Sequence, residues 1–360
     1  MSMEEPICAG KWDLVVIGGG PAGCSAARQA ALGGLRTLVL ERRKVVGEPV
    51  QCAEYVPMAV ALRFPRTCWA QEVEGMHTYL QDRLLAENHW PGVVMHRNRL
   101  DQKLALEAQE AGARLIKGAR VQKVENGRVS LFVQGQFLEL EAPLFIGADG
   151  PLSRAAQALG LRHKAFLYAL QVRAELKTPL SCTQVHFWPA FQGGYAWLFP
   201  KGDWANVGLG VDRSQAGRIS QLLSWFLEKL RQKGLVGRLE GPATGGLVPV
   251  GGPHSITASG TILLAGDAAG HTDPVTGGGI PNALICGEMA GLAAREALCS
   301  GNAQRLGEYE QRWRDLLLPG LERAVLHRKS MEQDWLKGSF EALVRSHWVA
   351  FREYFLWGRN

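Results

Sequence analysis

Long apolar runs, basic blocks and metal-binding spacings are all absent from this 360-residue sequence. Because no stretch of about 18 apolar residues occurs, we expect no helix that spans a bilayer. The 40 Lys and Arg residues exceed the 34 Asp and Glu residues and give a net charge of +6. No basic run stands out, so nucleic acid is not an expected partner. No Cys-x-x-Cys or His-x-x-x-His spacing occurs, so we expect no zinc, iron–sulfur or other metal site.

Signals for secretion and for disulfide bonding are missing as well. The first ten residues lack the apolar core of a signal peptide. The cysteines are odd in number and follow no disulfide framework, which favours reduced thiols in a cytoplasmic protein. These seven residues are Cys8, Cys24, Cys52, Cys68, Cys182, Cys286 and Cys299.

Glycine, by contrast, is abundant, with 43 residues that bunch near 18–23, 241–252 and 277–279. Since glycine lets the backbone approach a bound molecule closely, these clusters indicate ligand contacts. Hydrophobic residues make up 46% of the chain and charged residues 21%, which is typical of a globular protein. The length allows one or two domains.

The first glycine cluster, Gly18-x-Gly20-x-x-Gly23, lies between a predicted strand and a predicted helix. In this context Gly18 permits a tight turn, Gly20 lets the backbone approach a pyrophosphate, and Gly23 lets helix and strand pack closely. The helix N-terminus attracts the anion, and the carboxylate of Glu41 can accept ribose hydroxyls. The alternative is a plain glycine-rich turn beside a surface acid. The surrounding segments are predicted as strand 13–17, helix 24–32 and strand 36–40.

Two further segments each follow a predicted strand: the one around Asp149 precedes a predicted helix, and the one around Asp267 precedes a glycine-rich turn. Together with the glycine turn they resemble flavoproteins of the para-hydroxybenzoate hydroxylase type, in which three such segments line an FAD site. The resemblance implies FAD as cofactor, with Asp267 at its ribityl or pyrophosphate part, Arg97 near its phosphates, and Asp149 ordering the sheet end. The alternative for Asp267 is a simple helix N-cap.

The glycines at 277–279 precede a predicted helix that starts near Ile280. Backbone N–H groups at such a helix start can stabilise negative charge on the pyrimidine edge of reduced flavin; the alternative is a plain loop. The predicted cofactor contacts are therefore Gly18, Gly20, Pro21, Ala22, Gly23, Glu41, Arg42, Arg97, Val121, Asp149, Asp267, Gly277, Gly278, Gly279 and Ile280.

A later segment, Tyr195-x-Trp197-x-Phe199-Pro200, resembles the substrate motif of the geranylgeranyl reductase family, although Gln192 stands where that motif begins with Pro. The loop 46–54 resembles the family's cysteine-containing segment, and 273–280 resembles its Pro-x-x-Gly-x-Gly-Ile segment, with Gly278 where Glu is common. The resemblance implies an FAD-dependent reductase that acts on C=C bonds of isoprenoid chains on a lipid, a quinone or a pigment precursor.

The same resemblance suggests which residues act on the substrate. Alternation along a strand places Tyr195, Trp197 and Phe199 on one face, where they could line an apolar tunnel beside the flavin. The alternative is ordinary core packing. The predicted substrate-binding residues are Tyr195, Trp197, Phe199 and Pro200, and the catalytic candidates are Cys52, Glu54 and Tyr195.

We predict an α/β fold of two interleaved domains with a helical C-terminus. The Rossmann-like FAD-binding domain comprises 1–57, 97–160 and 255–300, the β-rich substrate domain comprises 58–96 and 161–254, and the helical segment comprises 301–360. Apolar residues at helical spacing predict a helix over 98–111, with Asn98 as its cap, and we expect another over 218–233.

The C-terminal segment combines aromatic and basic residues at helical spacing. The aromatic and apolar positions are Phe340, Val344, Trp348, Phe351 and Phe355, and the basic ones are Arg345, Arg352 and Arg359. Such a helix can lie on the inner face of a membrane, cover the substrate domain or join a dimer.

Two rival functions stay open at this stage: a flavin monooxygenase that hydroxylates an aromatic compound or a protein side chain, and an electron carrier to a quinone or a partner protein. No second glycine turn follows a strand. We therefore expect an electron donor such as NAD(P)H or reduced ferredoxin to visit the flavin transiently.

Overall fold

The computed structural model describes residues 10–125 and 127–357. Cys8 and Arg359 lie outside this range, as does nearly all of the N-terminal segment in which we expect no signal peptide. Within the described residues, every helix is too short or too polar to cross a bilayer.

A six-stranded, mostly parallel sheet forms the first layer of the molecule. Its strands, numbered in chain order through the whole molecule, are β1 (Leu14–Ile17), β2 (Thr37–Glu41), β8 (Arg114–Lys117), β12 (Leu144–Gly147), β18 (Ala258–Ser259) and β19 (Ile262–Leu264). Their order is β18-β19-β12-β1-β2-β8, and β18 alone among them runs antiparallel to its neighbour.

Both faces of this sheet are covered, which explains the nearly continuous apolar run of β1. Leu14 and Val16 face the helices, whereas Val15 and Ile17 face a small antiparallel sheet. The helices are α1 (Pro21–Leu32), α3 (Arg97–Glu110) and α6 (Ile280–Ser300). On the other face lie β9 (Arg120–Glu125), β10 (Arg128–Val133), β11 (Gln136–Glu141) and α4 (Arg154–Ala158).

A seven-stranded sheet forms the second layer. Its strands are β5 (Gly75–Leu80), β6 (Arg83–Asn88), β13 (Phe166–Leu176), β14 (Cys182–Phe187), β15 (Ala196–Lys201), β16 (Trp204–Val211) and β17 (Val236–Pro249). They are ordered β17-β13-β16-β15-β14-β5-β6. Helix α5 (Ile219–Gln232), close to the predicted 218–233, buries its apolar residues against one face.

The other face of the seven-stranded sheet is covered by C-terminal helices α7 (Arg305–Asp334), α8 (Phe340–His347) and α9 (Arg352–Leu356). Val344, Trp348 and Phe351 of the predicted amphipathic stripe are buried there, and Phe355 is exposed. The indole Nε1 of Trp348 donates to Thr78 Oγ1 at 3.1 Å. Most of the stripe therefore packs on the sheet, as one of the three alternatives requires.

A small sheet links the two layers. It comprises β3 (Tyr55–Pro57), β4 (Trp69–Val73) and β7 (Gly92–Met95), with the short helix α2 (Met58–Ala61) after β3. The six-stranded sheet takes its strands from 14–41, 114–117, 144–147 and 258–264. The seven-stranded sheet takes its strands from 75–88 and 166–249. The chain thus alternates between the layers, and the predicted α/β fold class is confirmed.

Two predicted helix starts need correction. Helix α1 begins at Pro21, three residues earlier than expected, because proline suits the first helical position. The expected cap at Asn98 is wrong: α3 begins at Arg97, and Asn98 Oδ1 accepts the N–H of Arg99 at 2.9 Å. The N–H of Arg97 donates instead to Glu54 Oε1 at 2.7 Å, a partner that is 43 residues away in the chain.

Candidate active site

The three segments with glycine and aspartate converge at one edge of the six-stranded sheet. They follow the adjacent parallel strands β1, β12 and β19, so their turns meet where these strands end. The N–H of Ala148 donates to Ile17 O at 2.8 Å, and the N–H of Ala265 donates to Gly147 O at 2.9 Å. A crevice at the carboxyl ends of parallel strands is where open α/β sheets bind nucleotides.

In the glycine turn, Gly18 and Gly23 have no room for a side chain, whereas Gly20 faces open space. Gly18 adopts a φ of +105°, and a Cβ added there would lie 2.3 Å from Ala148 O. A Cβ at Gly23 would lie 1.9 Å from Gly18 O, so the turn and helix α1 pack too closely for a side chain. A Cβ at Gly20, by contrast, would have no neighbour within 4 Å among the described residues. The backbone at Gly20 therefore faces room for a ligand.

Helices α1 and α6 lie side by side and run in the same direction. A Cβ at Gly287 would lie 2.2 Å from Ala22 O, and one at Gly291 would lie 2.2 Å from Ala26 O. These contacts advance four residues along each helix, which makes the helices parallel. Seven residues of α6 precede Gly287 and one residue of α1 precedes Ala22, so the N-terminus of α6 extends about 9 Å beyond the start of α1. Two helix N-termini thus open toward the same end of the molecule.

Neither helix start carries a side-chain cap in the described part of the chain, and neither first turn contains an acidic residue. The free N–H groups and the positive ends of both helix dipoles therefore attract negative charge. The carboxylate of Asp267 accepts a hydrogen bond from Thr272 Oγ1 at 2.6 Å, and its Oδ1 would lie 3.3 Å from a Cβ at Gly279. Asp267 thus lies beside the start of α6.

The other predicted cofactor residues occupy the rim of the same edge. Glu41 is buried at the end of β2, where Oε2 accepts the N–H of Gly19 at 2.7 Å and Oε1 accepts the N–H of Arg43 at 2.8 Å. Arg42 is exposed, and Val121 is partly buried on β9.

Asp149 lies at the end of the sheet and has two local partners. Its carboxylate accepts hydrogen bonds from Ser153 Oγ and from the N–H of Arg154. Burial raises the pKa of Asp149, and these two hydrogen bonds oppose the shift. This geometry suits the expected role in ordering the sheet end.

These features fit FAD. The open space at Gly20 and the uncapped start of α1 suit a pyrophosphate, and the uncapped start of α6 suits the negatively charged edge of a reduced flavin. The two helix starts are offset along their axes, which suits an extended dinucleotide. The individual contacts in this set stay predictions.

Three aromatic side chains in or next to β15 face the loop that precedes α6. Tyr195, Trp197 and Phe199 belong to one cluster, which includes Val275, whereas Ala196 and Leu198 face the opposite cluster. Strand alternation places Pro200 on that opposite face.

Tyr195 connects the aromatic face to the loop that precedes α6. Its hydroxyl donates to Thr276 O, immediately before the glycines at 277–279. The Tyr195 ring lies 5.0 Å from that of Trp348, and burial raises the pKa of Tyr195. The indole Nε1 of Trp197 is buried and has no hydrogen-bond partner among the described residues. The face therefore combines apolar surface with one free donor.

The segment that carries Cys52 and Glu54 lies between the two sheets. The Glu54 N–H donates to Cys52 Sγ at 3.2 Å. The guanidinium of Arg97, which is expected near the phosphates, pairs with Asp101, with Nε at 2.8 Å from Oδ1 and Nη2 at 3.2 Å from Oδ2. Burial raises the pKa of Cys52, and the nearby positive charge of Arg97 opposes this shift.

Sequence reasoning did not select Lys201, Asn206 or Gln171, although each contacts this segment. Lys201 Nζ pairs with the Glu54 carboxylate, Asn206 Nδ2 donates to Glu54 Oε2 at 2.7 Å, and Gln171 Nε2 donates to Cys52 O at 2.8 Å. Lys201 follows the matched aromatic motif directly, and a lysine at the end of a buried strand is the one local signal that could have indicated it.

Comparisons with known proteins agree with this geometry. The FAD dependent oxidoreductase family matches residues 13–158, and the geranylgeranyl reductase catalytic domain matches residues 184–239. A digeranylgeranylglycerophospholipid reductase of Methanothrix thermoacetophila is 36% identical over 84% of this chain and 83% of its own length. A second protein of that name, from Methanothermobacter thermautotrophicus, is 37% identical over 89% and 88% of the two chains.

Solved structures share the fold of this chain. A geranylgeranyl bacteriochlorophyll reductase-like protein from Thermoplasma acidophilum superposes with a TM-score of 0.79 at 28% identity, covering 95% of this chain and 92% of that one. The flavin-dependent halogenase CmlS, at 17% identity and a TM-score of 0.73, shares the fold over 94% of this chain and 68% of its own. From its relatives and its site, the chain belongs to the geranylgeranyl reductase family and is an FAD-dependent oxidoreductase.

Proposed function

We propose that this protein reduces C=C bonds in geranylgeranyl chains carried by a glycerophospholipid. The observation that carries the proposal is the bond from the Tyr195 hydroxyl to Thr276 O, which joins the aromatic face to the predicted flavin loop. A prenyl chain has few polar groups, so a face of Tyr195, Trp197 and Phe199 suits it through apolar contact. The relatives named for this lipid activity support the choice of substrate.

Several residues would hold FAD at this edge. The N–H groups at the start of α1 would bind the pyrophosphate, Glu41 would accept a ribose hydroxyl, and Asp267 would bond the ribityl part. The N–H groups at the start of α6 would stabilise negative charge on the pyrimidine edge. Bound and reduced, FAD supplies the hydride for one alkene carbon.

The second alkene carbon needs a proton, and three predicted catalytic residues could carry it. The Tyr195 hydroxyl already donates to Thr276 O, and the Glu54 carboxylate faces the donors Lys201, Asn206 and the N–H of Arg97. The Cys52 sulfur accepts one N–H and keeps its own proton, because burial raises the pKa of this thiol. Arg97 would stabilise the thiolate that remains after transfer. We therefore favour Cys52 as the proton donor.

The electron donor in this proposal is NAD(P)H or reduced ferredoxin, which binds only transiently near the flavin. The lipid substrate would be reached at a membrane surface. Support comes from exposed apolar residues at the C-terminal helices, with Leu336 76% exposed and Phe355 and Leu356 each 47% exposed. The basic residues Lys337 and Arg352 lie beside them in sequence, and their charge favours an anionic bilayer.

Product analysis tests the proposed reaction. Purified FAD-loaded protein is incubated with dithionite and a digeranylgeranyl glycerophospholipid under nitrogen, and the lipid is examined by mass spectrometry. We expect a gain of two hydrogens for each bond reduced and no reaction with the saturated lipid. Incorporation of labelled oxygen from an aerobic reaction with NAD(P)H would instead favour a monooxygenase.

A further inference from the structure

The segment 51–54 is bonded to the seven-stranded sheet at several points. Gln171 Nε2 on β13 donates to Cys52 O at 2.8 Å, and Asn206 Nδ2 on β16 donates to Ala53 O at 3.2 Å. Gln51 Nε2 donates to Gly245 O on β17. Three strands of the seven-stranded sheet thus hold a segment that approaches the nucleotide-binding edge of the six-stranded sheet.

Glu54 is the residue of this segment that contacts both layers. Its backbone has a φ of +73°, which is uncommon for a residue other than glycine, and its side chain is only 2% exposed. Oε1 accepts the N–H of Arg97 at 2.7 Å at the start of α3. Oε2 accepts Asn206 Nδ2 at 2.7 Å and pairs with Lys201 Nζ, whose side chain is 10% exposed. Within the described residues, every hydrogen-bond partner of the two Glu54 carboxylate oxygens is therefore a donor.

Glu54 also contacts Cys52, the proposed proton donor, and Arg97, the neighbouring positive charge. The N–H of Glu54 donates to Cys52 Sγ, and its carboxylate fixes the first residue of α3, Arg97. The Arg97 guanidinium is in turn fixed by Asp101 and lies close enough to Cys52 to lower the pKa of the thiol against the effect of burial. A shift of Glu54 would therefore displace Cys52 and Arg97 together.

We propose that Lys201 and Asn206 are positioning residues: they hold the Glu54 carboxylate, and through it they fix Cys52 and Arg97 relative to bound FAD. Surrounded by donors, Glu54 acts as an acceptor that positions its neighbours and does not deliver a proton. The inference rests on FAD binding and on the proposed placement of Cys52 beside the flavin. It does not depend on the identity of the lipid.

The test compares substitutions in full-length, FAD-loaded protein. The variants are Lys201→Met, Lys201→Arg, Glu54→Gln and Asn206→Ala, with Lys177→Met as the matched control. Lys177 pairs with Glu175 at 2.9 Å, but the Lys177 side chain is 53% exposed, immediately after the end of β13. The readouts are the FAD dissociation constant, the visible circular dichroism of the flavin, its midpoint potential and its single-turnover reoxidation by the prenyl lipid.

We expect Lys201→Met and Glu54→Gln to alter the flavin circular dichroism and midpoint potential in the same direction, with FAD affinity unchanged. Reoxidation should slow by about tenfold to 100-fold, because misplacement by about 1 Å costs this much. A variant that combines Lys201→Met with Glu54→Gln should equal the more affected single variant, and Lys201→Arg should keep the wild-type signature. Lys177→Met should match wild type throughout.

Flavin signatures in folded Lys201→Met and Glu54→Gln that match those of Lys177→Met would overturn the inference. If either variant fails to fold, Asn206→Ala decides, because it removes two hydrogen bonds without leaving a charge unpaired; an unchanged flavin signature there would overturn it too. If wild-type protein does not reduce the lipid, the proposed substrate fails. The circular dichroism and the potential then still decide the positioning role.

Discussion

At the scale of single residues, the substitution Gly20→Ala tests FAD binding with little effect on folding. A Cβ at Gly20 meets no described atom within 4 Å, and its φ of −83° suits alanine. We expect Gly20→Ala to cost about 1 kcal/mol of stability or less, yet to weaken FAD binding at least tenfold, because the methyl group occupies the space of the pyrophosphate. Fluorescence titration with FAD and thermal unfolding measure the two effects.

The control for this substitution is Gly217→Ala, since Gly217 also has open space around its Cβ and lies far from the sheet edge in the chain. It should leave both FAD affinity and stability near wild type. Equal FAD affinity in Gly20→Ala and Gly217→Ala would show that the pyrophosphate does not approach this turn.

Cys52 permits a second test at this scale. We expect Cys52→Ala to retain FAD and to slow single-turnover reduction of the prenyl lipid by about 100-fold or more, which is the usual contribution of a general acid. Cys68→Ala is the control, because Cys68 belongs to the buried cluster against which Cys52 packs but has no assigned role in the reaction. A Cys52→Ala rate equal to that of Cys68→Ala would contradict the assigned proton donor.

At the scale of helices and strands, the close packing of α1 on α6 positions both helix starts. Gly287→Ala would place a Cβ 2.2 Å from Ala22 O, and neither backbone can move without disturbing the turn at Gly18–Gly23. We expect a loss of about 1–3 kcal/mol of stability, as for other overpacked cores, together with weaker FAD binding. Urea unfolding and FAD titration measure both quantities.

Gly320→Ala is the matched control, because Gly320 lies inside α7 with open space around it. Alanine there should stabilise the protein by about 0.5–1 kcal/mol. If Gly287→Ala were as stable as Gly320→Ala, the contact between α1 and α6 would be looser than described here.

The helices and strands also show which parts of the site local sequence can reveal. The turn at Gly18–Gly23, Asp149 and Asp267 were predictable, because each lies directly after a strand with a recognisable pattern and parallel strands end at a common edge. The contacts of Glu54 with Arg97 and Lys201 were not predictable, since those partners are 43 and 147 residues away in the chain. The burial of Trp348 on Thr78 likewise depends on how the C-terminal helices fold back.

At the scale of the whole molecule, buried histidines should make stability depend on pH. Burial lowers the pKa of His186 and His271 to about 3 and that of His254 and His327 to about 4. The unfolded chain takes up protons from about pH 6.5 downward, whereas the folded protein does not until these lower values. Stability is therefore present above pH 6.5 and decreases as the pH falls toward 4.

Between pH 6.5 and 5, each such histidine contributes up to about 2 kcal/mol to this loss. The raised pKa values of Asp101 and Asp149 act in the opposite sense at lower pH, where the folded protein binds their protons first. Urea unfolding of the FAD-free protein at pH 7.5, 6 and 5 should show a steady decrease. Equal stability at the three values would mean that these histidines are hydrated in solution.

The most direct measurement of the central claim is an anaerobic titration of the reduced, FAD-loaded protein with the prenyl lipid. Flavin absorbance gives the electrons released, and mass spectrometry of the same sample gives the hydrogens gained. The account predicts complete reoxidation, with one C=C bond reduced for each flavin oxidised. A flavin that stays reduced in the presence of the lipid, or that is reoxidised without any change in lipid mass, would contradict it.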